Sequence, residues 1–119
     1  MMRINEQWVQ MKLASIGIPK GRAREYLACL VMLDPERELP MHQLYDKAAE
    51  RMGVSVSTLK RLIEQAIGKM WEFPTASTEA LFCIRLCRKK PSIGCFINRF
   101  CELAVAPRLE EEKRWNSER

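Results

Sequence analysis

The sequence predicts an all-α protein: a compact six-helix domain containing a helix-turn-helix in its third and fourth helices. Three observations predict it. Apolar residues recur three and four apart along most of the chain, and no segment reads convincingly as a strand. Glycine and proline breaks divide the periodic stretches into six. At 119 residues, 47% of them apolar, the chain is one domain able to bury a real core.

The first helix is expected from about Ile4 to Ser15, with Ile4, Trp8 and Met11 at helical spacing. "GIPKG" at 17–21 ends it. The second runs from about Arg22 to Leu33, its stripe formed by Ala23, Tyr26, Leu27, Leu30 and Val31. "DPEREL" with Pro40 follows. The third covers about Met41–Met52, with Leu44, Tyr45, Ala48, Ala49 and Met52 inward. The fourth covers about Ser57–Trp71, where Leu59, Leu62, Ile63, Ala66, Ile67 and Met70 form an unbroken stripe.

The fifth is expected to start near Ser77–Thr78, with Glu79 in its first turn and Leu81, Phe82, Ile84 and Cys87 along it. "RKKPS" at 88–92 is a basic loop. Pro91 or Ser92 opens the sixth, with Ile93, Phe96, Ile97, Phe100 and Leu103 inside. The helical domain thus spans 1–107. A charged tail, 108–119, either extends a helix or frays.

Formal net charge is +5. The tail carries four basic and four acidic residues, so the whole excess sits on residues 1–107, sixteen basic against eleven acidic. A basic body favours an anionic partner, nucleic acid above all. An ordinary solvated surface is the bland alternative. The five cysteines (Cys29, Cys83, Cys87, Cys95 and Cys101) form no CxxC pair, and no signal peptide opens the chain. Free thiols in a reducing cytoplasm follow. Cys83 and Cys87 share a helix face, but His42 is the only histidine, so no metal site and no cofactor are expected. No apolar run is long enough to cross a bilayer.

Residues 41–71 meet the demands of a helix-turn-helix. Close crossing of two helices needs a small residue on the first, and Ala49 supplies it. The turn needs tolerance of positive φ, and Gly53 supplies that. Val54 plugs the gap between the helices, and Ser55 or Ser57 caps the second. A generic helical hairpin would meet some of these demands but not all at this spacing.

The exposed face of the fourth helix carries Ser57, Thr58, Lys60, Arg61, Glu64 and Gln65, the candidate base-reading set. Arg61 suits bidentate contact with guanine and Gln65 pairs with adenine. Lys60 reaches a base or a phosphate. Ser55 and Ser57 can donate to phosphates at the helix N-terminus. Glu64 repels phosphate unless it accepts from cytosine or orients Arg61 or Lys60. Arg88, Lys89, Lys90 and Ser92 are candidate phosphate contacts, giving affinity without sequence choice.

The succession "IGIPKG…YL…DPE…LY…AAERMG…STLKRLIEQAIGKMW…ALF…KKPS…FI", over roughly 13–104, resembles the C-terminal DNA-binding (effector) domain of the master sporulation response regulator of endospore-forming bacteria. That resemblance implies six helices, with the fourth in duplex DNA and the loop before the last near phosphates. It also implies copies in tandem on DNA and transcription regulation through RNA polymerase. Arg61 falls where the family has a DNA-contacting arginine. Thr58 and Glu64 stand where arginines are expected, and Lys60 where a glutamate is expected, so a different DNA box follows. The dozen residues before the match leave no room for the family's receiver domain. The chain is then an excised piece or, as Met1-Met2 and the neutral tail favour, free-standing and not controlled by phosphorylation in cis.

The function expected is a sequence-specific duplex DNA-binding regulator in the bacterial cytoplasm, at the nucleoid when bound. The alternative is an interaction module that pairs with a related regulator and has lost specific reading. Its candidate contacts are the last helix and Trp115. With no nucleophile–base set around His42 and no glycine-rich phosphate loop, no enzyme is expected.

Overall fold

Asn5 begins the first helix, because its side chain accepts the Trp8 N–H at 2.8 Å. In the computed structural model, residues 4–82 and 89–117 are described, with 81, 82 and 115–117 as backbone alone. Arg88, Cys83, Ile84 and Cys87 therefore lie outside the described residues, as do the side chains of Leu81, Phe82 and Trp115. Seven helices follow in order: α1 (Glu6–Ser15), α2 (Arg22–Leu33), α3 (Met41–Met52), α4 (Val56–Glu72), α5 (Ala76–Phe82), α6 (Ile93–Phe100) and α7 (Ala106–Ser117). A π-helical turn, Cys101–Val105, joins α6 to α7 without a break, so the described residues form six helical bodies. No strand is present among the described residues.

α2 is the central element. It packs against α1, α3, α4 and α6, and Leu27, Ala28, Leu30 and Val31 are wholly buried. Around it close Val9 and Leu13 of α1, Leu44 and Ala48 of α3, Leu59, Ile63 and Met70 of α4, and Phe96, Ile97 and Phe100 of α6. The expected stripe of α1 needs correction. Met11 is 60% exposed, and the Val9–Leu13 ridge, four apart, takes the core face instead.

Two loops fix how the helices sit. Asp34 is buried at the end of α2. Its carboxylate accepts the N–H groups of Glu38 at 2.7 Å and Leu39 at 3.0 Å and pairs with Arg37 at 2.9 Å. Arg37 Nε donates to Asn98 of α6 at 2.7 Å, which ties the loop before α3 to the opposite helix. α5 begins at Ala76, just before the Ser77–Thr78 start expected, and Thr75 caps it, its hydroxyl accepting the Thr78 N–H at 3.1 Å. Thr78 turns inward, fully buried, and donates to the carbonyl of Ile16; Thr75 donates to that of Ser15 at 3.1 Å. The end of α1 and the start of α5 are thereby clasped.

Leu103, expected inside, is 40% exposed, while Val105 is buried. Pro107 explains both. It has no N–H for the Leu103 carbonyl, and its ring crowds that carbonyl. The helix widens, the Ala106 N–H reaches back to Cys101, and the inward register shifts. Beyond it, the charged segment continues as helix to Ser117. Arg108 lies 4.6 Å from the Trp8 ring centroid, and Glu112 accepts the Ile4 N–H at 2.7 Å.

Candidate nucleic-acid interface

α3 and α4 are joined by three residues, Gly53, Val54 and Ser55. Gly53 is left-handed, φ 69°, ψ 34°. Its N–H donates to Glu50 at 3.3 Å, and the Val54 N–H donates to Ala49 at 3.1 Å. Those two bonds close the end of α3 in the Schellman pattern, with Val54 folded back toward the core. Ala49 is buried, and Leu59 and Ile63 hold α4 inward.

Ser55 is the cap of α4. Its hydroxyl accepts the Thr58 N–H at 3.1 Å and donates to Thr58 Oγ1 at 2.9 Å, and the Leu59 N–H reaches the Ser55 carbonyl at 3.0 Å. Thr58 is consequently half-buried in the capping turn. Ser57 is exposed, its hydroxyl 3.3 Å from that of Ser55.

One turn on, Arg61, Glu64 and Gln65 are all exposed. At 100° per residue, Ser57, Arg61, Glu64 and Gln65 lie along one outward stripe that ends at Gly68. Among the described residues Arg61 makes no hydrogen bond or ion pair, so its guanidinium is held by nothing on the surface. Lys60 lies at the flank of the stripe. Its ammonium sits 5.2 Å from the centroid of the Tyr45 ring on α3. Burial, and then the carboxylate of Glu64, push the Tyr45 phenol above its ordinary pKa, with Arg37 opposing.

The basic loop meets the same face. A methyl group placed on Gly68 would stand 3.8 Å from Lys90 Nζ. Lys90 therefore lies across α4 where the stripe has no side chain. Lys89 is exposed beside it. The Ser92 hydroxyl accepts the Cys95 N–H at 3.2 Å and caps α6. Of the basic loop, Lys90 is thus brought to the face of α4 that carries the stripe, while Arg88 lies outside the described residues. Sequence reasoning missed two contributors. Tyr45 reads as a core residue from its spacing, and Gly68 carries no signal of its own; neither reveals the lysine it receives.

Chemistry elsewhere is sparse. Burial pushes the Cys101 thiol up to about 11 and raises that of Cys29, so neither is an activated thiolate. No group of three metal-ligating side chains stands together among the described residues, and no helix there is long and apolar enough to cross a membrane. Among known proteins, no family model, curated protein or solved structure matches the chain.

Proposed function

We propose that the protein is a sequence-specific duplex DNA-binding regulator of transcription. One observation carries the reading. A three-residue turn with left-handed Gly53 sets a helix whose outward stripe presents Ser57, Arg61 and Gln65, with Lys90 lying across its far end. Helices that read the major groove present polar N-terminal residues in this way, flanked by cations for phosphate. Arg61 reads guanine, Gln65 reads adenine, and Glu64 accepts from cytosine. Ser57, whose neighbour Ser55 is committed to the cap, donates to phosphate at the N-terminal end of α4, and Lys89 and Lys90 grip phosphate toward its far end. The mechanism is occupancy: recruitment or blockage of RNA polymerase from a bound site, in the cytoplasm, with no covalent chemistry. The likeness to the sporulation effector domain supports the same reading and adds tandem binding of copies on DNA.

Selection from a random duplex pool tests it. A sequence enriched by the parent protein supports the reading. Arg61→Ala should then cost about 1–3 kcal/mol on that sequence and relax the choice of one base pair. Equal binding of parent and variant to every duplex removes Arg61 from the reading set, and no enrichment at all contradicts sequence-specific function.

A second reading is a protein-interaction module that pairs with a related regulator. The exposure of Phe73 (77%) at the end of α4, with Glu64 on the stripe, favours it. It predicts duplex binding that is weak and nearly flat in salt.

A further inference from the structure

Lys60 and Arg61 are neighbours in sequence, yet α4 sends them to different places. Arg61 points outward, near the middle of the stripe. Lys60, 100° round the helix, turns toward α3, and its ammonium rests 5.2 Å from the centre of the Tyr45 ring. Tyr45 is itself half-buried and packed against the core, so the ring is a fixed platform. Its hydroxyl stays protonated because burial and the Glu64 carboxylate both oppose ionisation.

We propose that Tyr45 is a positioning residue, which holds Lys60 at the edge of the reading face so that its ammonium meets a phosphate and leaves the bases to Arg61 and Gln65. The assignment rests on the DNA-binding reading above. Three features favour a phosphate over a base. The ammonium lies off the centre line of the stripe, on the side where a strand bordering the groove would run if the stripe faced the bases. A lysine is a point charge without the fork that matches a base edge. The aromatic face removes much of the freedom a lysine otherwise loses on binding, which is where a preorganised contact gains affinity.

A double-mutant cycle tests it, with duplex affinity measured across a salt series. Lys60→Ala should weaken binding to all sequences alike and flatten the plot of log K against log salt by about one unit. Tyr45→Leu should weaken binding about threefold, the loss expected from an exposed cation–ring contact. Tyr45→Phe, which keeps the ring, should bind like the parent. The double variant should bind no worse than the weaker single one, since both remove the same contact. A resonance experiment without DNA follows the geometry: the ring current shifts the Lys60 ε-methylene protons, and Tyr45→Leu abolishes the shift while thermal unfolding confirms the fold.

If the parent binds duplex with steep salt dependence and Tyr45→Leu binds equally well, the positioning role is overturned and the DNA reading stands. Losses that multiply in the double variant overturn it also. A change of preferred sequence in Lys60→Ala overturns the phosphate assignment. If the parent binds no duplex while the ring shift persists, the DNA reading falls and the role assigned to Lys60 falls with it.

Discussion

Gly53 carries more of the turn than any other single residue. Its φ of 69° is one that a residue with a Cβ adopts at a cost, yet a Cβ there would meet nothing within 4 Å. The cost of Gly53→Ala is therefore conformational, not steric, and should be about 1–2 kcal/mol of stability. Gly53→Asn should recover part of it, because asparagine tolerates the left-handed region. Denaturant midpoints with an unchanged m-value check both. This residue was fully legible in the sequence, since a glycine after an apolar-striped helix and before Val-Ser has one common use. Tyr45 was not legible in the same way. Its spacing places it on the core side of α3, and only the packed structure reveals that its ring face receives a lysine from the next helix. Thr58 is outward by spacing, but the fold half-buries it in the capping turn, where its N–H donates to the Ser55 hydroxyl and its Oγ1 accepts from it.

At the level of elements, α2, α3 and the core face of α4 follow from periodicity, because their stripes are continuous and their breaks are marked by glycine or proline. The last helix was harder. α6 and α7 form one body whose register slips through the π turn before Pro107, so Leu103 faces outward although three-residue spacing places it inside. α7 was ambiguous because its residues are mainly charged and what holds it lies about a hundred positions earlier. Arg108 stacks on Trp8, Glu112 accepts the Ile4 N–H, and Lys113 approaches Glu36 at 3.7 Å. The last of these is solvent-exposed and contributes little. The Trp8 contact is the anchor, and Arg108→Ala should release the helix. Hydrogen exchange should quicken about tenfold for amides beyond 108 and remain unchanged in α2. Equal exchange in parent and variant would mean that Leu109 and the π turn hold α7 unaided.

The whole molecule is a set of helical bodies wrapped on α2, with a radius of gyration of 14.3 Å, near the ~13.5 Å of a compact chain of this length. That wrapping brings α4 and the loop before α6 to one face, where the proposed function places DNA. The net charge of +5 belongs to this body, since the α7 segment and its extension sum to zero. The sequence supplied both basic clusters but not their distance, because residue 90 meets residue 68 only through the packing of α4 against α6. Under the proposed function, Arg61, Glu64 and Gln65 together would choose the base sequence, and no spacing rule converts that trio into one. The most direct measurement is the affinity of the intact chain for duplex DNA over a salt series. The account predicts log K falling linearly with log salt, at a slope corresponding to three or more phosphates, from Lys60, Lys89 and Lys90 at about 0.9 each. A flat plot, with binding weak at every salt concentration, would contradict it.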